Sequence, residues 1–164
     1  MFRTPQEAAE ALYAAIPRAL SHAMLEDYGI EATIEQARQI TQEVLSLNLF
    51  WIRCALEAVL PPKLRELVLG ELRGRILSGW GSDLALDGLD AQRYFQEAEE
   101  RRRIYAQAMQ EGASPVMIAT ETAAILGANS AVQPEDRVKV VALVTDLVPV
   151  DELGELVDQI RLVG

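Results

Sequence analysis

Reactive side chains are scarce in this chain. It has one cysteine, Cys54, and one histidine, His22. One cysteine excludes an intrachain disulfide, and the pair together falls short of the Cys and His complement of a zinc site. No glutamate stands three residues before His22, so the Glu-x-x-His pairs of helical di-iron proteins are missing too. Asp83, Asp87 and Asp90 lack EF-hand spacing. Neither the G-x-x-x-x-G-K-S/T phosphate loop nor the G-x-G-x-x-G dinucleotide fingerprint occurs. No metal and no cofactor are therefore expected.

Other absences narrow the class. No stretch of about 18 residues is free of charge, so no membrane span is read. Residues 45–60 come nearest, but they hold Asn48, Arg53 and Glu57. The opening MFRTPQEAAEAL turns polar and acidic where a secretory signal would be apolar, and a cytoplasmic protein is expected. Lysine occurs only at positions 63 and 139, and the formal net charge is −10. Phosphate backbones repel such a surface, so nucleic acid is not an expected partner.

What is present is apolar and helix-forming, with few β-branched runs. Half of the 164 residues are hydrophobic but only 5% are aromatic, so Leu, Val, Ile and Ala must fill the core. Within the stretch Ile40 to Leu60 the helix is apolar around most of its turn from Val44 on, leaving a narrow polar stripe of Gln39, Glu43, Ser46, Arg53 and Glu57. Such a helix is usually buried. It reads as a central helix over about 32–60, stopped by Pro61-Pro62. Thr33 and Gln36 have capping-box spacing, a start one turn earlier being the alternative; Ile34, Ala37, Ile40 and Val44 follow inward.

Around it, cap and proline signals mark further helices. Thr4-Pro5-Gln6-Glu7 opens the first, to about Ala15, and Pro17 breaks or kinks it. Residues 18–27 are expected to continue as helix with Leu20, Met24 and Leu25 inward, ending at Tyr28-Gly29. Pro62 opens a helix to about Ser78, with Leu64, Leu67, Val68, Leu72, Ile76 and Trp80 on one face. Gly70 and Gly74 inside it each cost about 1 kcal/mol against Ala. Their spacing suggests close approach by a neighbouring helix; a kink and an exposed surface position are the plain alternative.

Residues 81–90 read as the longest loop and the best place for a functional one. Asp90 then caps a helix of about 91–111, with Met109 among its inner residues, and Ser114-Pro115 starts a strongly apolar one. Residues 127–133 read as a polar loop, and Pro134 begins a helix with Val138, Val141, Leu143, Val144 and Leu147 inward. Its valines also suit a strand, but the caps and the lack of a partner strand favour helix. Asp151 is expected to cap a last helix carrying Leu153, Leu156, Val157 and Ile160. The fold class is all-α: one domain over 1–164, an irregular or orthogonal bundle of seven to eight helices.

No motif names a reaction. The leading expectation is a non-enzymatic interaction or adaptor protein, self-associating as a homo-oligomer through Leu72, Ile76, Trp80, Leu156 and Ile160. Trp80, between glycines at a helix end, reads either as a core anchor or as a partly exposed interface residue. The second expectation is a small-ligand-binding domain with a pocket beside the central helix, lined by Asn48, Trp51, Cys54 and Tyr105. Asn48 sits in the most apolar turn, where an amide either fixes a packing register or meets a ligand. Arg53, in the same helix, pairs with Glu57 or anchors a carboxylate from outside. The third is an enzyme using His22 with Glu26, four residues on. Cys54 in an apolar run reads as a small buried hydrophobe. The arginines 101–103 beside Glu97, Glu99 and Glu100 read as a solvated, self-paired helix face.

Overall fold

The computed structural model describes residues 1–163. Among them the chain forms eight α-helices: α1 Pro5–Ala15, α2 His22–Asp27, α3 Ile34–Val59, α4 Pro62–Ser78, α5 Ala91–Gln110, α6 Pro115–Ala128, α7 Arg137–Leu147 and α8 Val150–Val157. A single 3₁₀ turn, Pro134–Asp136, leads into α7. The all-α bundle expected from the pattern is what the chain adopts. Helix α3 runs through its middle and packs on α2, α4, α5, α6 and α8; α1 lies across α4 and α8, and α6 pairs with α7.

Local chemistry sets most boundaries. The Thr4 hydroxyl accepts from the Glu7 amide and the Glu7 carboxylate accepts from the Thr4 amide, closing the capping box of α1. Thr33 and Gln36 do the same for α3, which therefore starts at Ile34 and not one turn earlier. Asp90 caps α5 and Ser114 caps α6. Pro17 forces Ile16 into extended backbone, and the chain stays non-helical until Ser21 caps a new start. The continuous helix expected over 18–27 is thus only the short α2, although Leu20 and Leu25 are buried as expected. At the other end, α8 begins at Val150 behind Pro149, with no side-chain cap, so Asp151 lies inside the helix instead of capping it.

Several apolar side chains face away from the core they were expected to join. Ile34, in the first turn of α3, is 84% exposed, and Val138, at the start of α7, is 80% exposed. Val138 sits two residues from the buried Val140, on the opposite side of α7, and Ile34 edges an open recess with Leu84 and Arg38. Val140 takes the place of Val138 in the core. Leu67 on α4 and Met109 on α5 are also exposed. Conversely, the loop 81–90 is tied down: Leu84 and Leu86 are buried, and the Ala19 amide donates to the Asp83 carbonyl at 2.9 Å. Ala131 and Val132 are buried as well, so the link after α6 is not simply polar. The two ends of the chain meet in one parallel bridge between Phe2 and Ile160.

Candidate functional site

Helices α3, α4 and α5 do not close on one another. Between them lies a cleft of about 430 Å³. Helix α4 is seated on the core by Val68, Leu72 and Ile76, and its next face over turns toward α5 with Leu69, Gly70 and Arg73. A Cβ placed on Gly70 or on Gly74 would meet nothing within 4 Å. The close helix approach suggested by this glycine pair is therefore absent. Gly70 lines open space; nothing in the structure explains Gly74.

The floor of the cleft is apolar. Leu49 and Phe50 come from α3, Leu69, Leu72 and Ile76 from α4, and Phe95 and Ala98 from α5. One hydroxyl, that of Ser46, lies among them and shares a hydrogen bond with the Tyr94 hydroxyl at 3.2 Å. Burial pushes the Tyr94 phenol far above its usual range, so it stays protonated. Tyr94 meets Trp80 in a tilted pair at 5.3 Å and Phe95 edge-to-face at 5.2 Å, which fixes the ring of Phe95 on the cleft floor.

The rim is charged. Arg53 on α3 reaches Glu66 on α4 at 3.4 Å, and Glu57 at 4.0 Å. Arg102 donates to Glu99 through Nε and Nη2, one edge of its guanidinium. That hydrogen bond holds the Glu99 carboxyl below its usual range and raises Arg102. Arg73 differs from both. Its guanidinium lies over the Phe95 ring, 4.3 Å from the centroid, and among the described residues it has no carboxylate within ion-pair distance. Next to Arg102, Arg101 turns inward instead of joining the exposed pairs. It grips Glu43 of α3 with two bonds of 3.0 Å, both side chains mostly buried. Burial raises the Glu43 carboxyl despite Arg101; on Arg101 burial is outweighed by Glu43, and its own value rises.

Four residues marked from the sequence as ligand contacts, Asn48, Trp51, Cys54 and Tyr105, do not line this cleft. Helix α3 sends Ser46, Leu49, Phe50 and Arg53 into it, and a different face buries Asn48 and Trp51. Asn48 donates to the Val44 carbonyl of its own helix at 2.9 Å, and its Oδ1 has no partner. The Tyr105 hydroxyl is held by Thr122 at 2.8 Å. Cys54 is half-buried, and burial above all, then the charge of Glu57, pushes its thiol up to about 11. It is a thiol and not a thiolate near neutrality.

His22 and Glu26 do meet, at 3.1 Å, but both side chains are more than 60% exposed. His22 edges a second recess of about 350 Å³ with Ile34, Leu84 and Arg38. Arg38 is engaged there in holding the 81–90 loop through the carbonyls of Ala85 and Asp87. Of the expected interface residues, Leu72, Ile76, Trp80 and Ile160 are buried inside the chain and Leu156 is half-buried. Leu72 and Ile76 belong to the cleft floor, and the Trp80 indole donates to the Leu89 carbonyl at 3.1 Å.

Sequence reasoning missed Leu49, Leu69, Phe95 and Arg73, because a cleft is a gap between helices and leaves no local pattern. Two signals pointed toward it: a glycine inside α4 and an arginine inside the apolar α3. Among the described residues, no group of three or more His, Cys, Asp or Glu side chains is placed to share a metal ion, and no helix is long and apolar enough to cross a membrane. Comparison with protein-family models, curated proteins and solved structures found no match to the chain.

Proposed function

We propose that the chain is a binding protein for a small amphipathic molecule, held in the cleft between α3, α4 and α5. The observation that carries this reading is the cleft itself. Its volume of about 430 Å³ falls in the range of small-molecule sites, roughly 300–1,000 Å³, and such sites combine an apolar lining with a few polar groups. This reading takes up the second expectation from the sequence, but on another face of the central helix and with none of the four residues named for it.

Gly70 supplies the test. A leucine at position 70 meets no clash at its Cβ and removes a glycine from a helix interior, which favours the folded state by about 1 kcal/mol. Its side chain also fills the mouth of the cleft. Single-chain amphiphiles should raise the thermal midpoint of the wild-type chain. Gly70→Leu should be more stable on its own yet show no ligand shift, whereas Gly74→Ala should gain stability and keep it. A ligand shift that survives Gly70→Leu would place binding elsewhere.

Self-association remains the competing reading. On the outward side of α4, Leu67 and Leu77 are each nearly half exposed, and a second copy of the chain would have to cover them. Sedimentation at rising concentration separates the two: a monomer throughout favours the cleft, and a dimer abolished by Leu67→Glu favours association.

A further inference from the structure

We infer that the ligand of this cleft is a single-chain amphiphile with a carboxylate head, and that Arg73 meets its charge. The inference rests on the cleft reading and adds the chemical class. Its starting point is the charge balance. In a chain of net charge −10, the cleft is lined by three arginines, 53, 73 and 102, and two glutamates, 66 and 99. The local excess is one positive charge. It is assignable to one group, because Arg53 is paired with Glu66 and Arg102 with Glu99.

Arg73 is also presented correctly for the task. The Arg73 guanidinium carbon sits over the Phe95 ring, 4.3 Å from its centroid, and a guanidinium held against a ring keeps N–H donors to offer an anion. Those donors match a carboxylate in a bidentate fork. The ring backing removes water from one side of the charge and limits its rotamers, so less entropy is lost when the anion arrives. Beyond the head, the partly exposed side chains of Leu49, Leu69 and Ala98 offer an apolar track. Along α4 the lining runs from Glu66 to Ile76, ten residues or about 15 Å at the helical rise. That length suits one acyl chain of medium length.

Calorimetric titration of the full chain with decanoate, decanol and decyl phosphate, each below its aggregation concentration, tests the assignment. Decanoate should bind the wild type at least tenfold more tightly than decanol. Arg73→Met keeps an unbranched stem of similar helix propensity and removes the charge; it should erase that preference while leaving decanol unchanged. The assignment is overturned if decanol matches decanoate in the wild type, if Arg73→Met retains the preference, or if decyl phosphate binds more tightly than decanoate. In each of those cases loss of all binding in Gly70→Leu would still uphold the cleft as the site. No binding by any of the three would overturn both.

Discussion

Tyr13, Arg18 and Asp83 form a clasp over Gly79. The Tyr13 hydroxyl donates to Asp83 at 2.7 Å, Arg18 reaches the same carboxylate at 3.3 Å, and its guanidinium lies over the Tyr13 ring. A Cβ on Gly79 would overlap the Tyr13 hydroxyl and come within 2.6 Å of Asp83. Gly79→Ala should therefore cost about 1–3 kcal/mol in urea unfolding, as overpacking does. The Glu43–Arg101 pair makes a second residue-scale claim. Truncating one partner leaves the other buried and unpaired, so Glu43→Leu should cost about 3–5 kcal/mol, and Glu43→Leu with Arg101→Leu should recover most of it. A double variant as unstable as the single would show that the pair does more than compensate its own burial. Asn48 belongs at this scale too. It stood out in the sequence as an amide in an apolar turn, but its own helix supplies the acceptor. The pattern marks such an exception; it does not say which way the side chain turns.

The helices were largely legible because their signals are local. Thr4, Thr33, Asp90 and Ser114 each cap the helix that begins next to them. Thr33→Ala should accordingly cost about 1 kcal/mol, with the loss seen as faster amide exchange in the first turn of α3. Where a boundary was misread, the competing effect was also local: Ser21 restarts a helix that Pro17 had ended, and Pro149 displaces Asp151 from the cap. The loop 81–90 carries one strained residue, Ala85, at φ +51°. A non-glycine residue costs roughly 1 kcal/mol there, so Ala85→Gly should raise the unfolding midpoint in urea. An unchanged or lowered midpoint would mean that the methyl group contributes to packing against Arg38. What could not be read at this scale was which faces stay uncovered. The pattern placed Val138 and Ile34 inward, but both side chains are exposed.

The whole molecule is acidic, yet its buried phenols make alkali the informative direction. Burial, then the hydrogen bond to Asp83, pushes the Tyr13 phenol up to about 12; burial also raises Tyr94 and Tyr105. In the unfolded chain a tyrosine loses its proton near pH 10. The folded state therefore holds protons that the unfolded state releases, and stability present below pH 10 should fall as pH rises toward 12. Tyr13→Phe should flatten that decline, measured as the urea midpoint against pH. The same scale holds the central functional claim, since the cleft exists only in how α4 stands off from α3 and α5. It is tested most directly by methyl chemical shifts during a titration with decanoate. Methyl groups of Leu49, Leu69, Leu72 and Ile76 should move together and saturate, while those of Val140, Leu143 and Leu153, buried on α7 and α8, stay still. Shifts confined to the α7 and α8 methyls, or none at saturating ligand, would contradict the account.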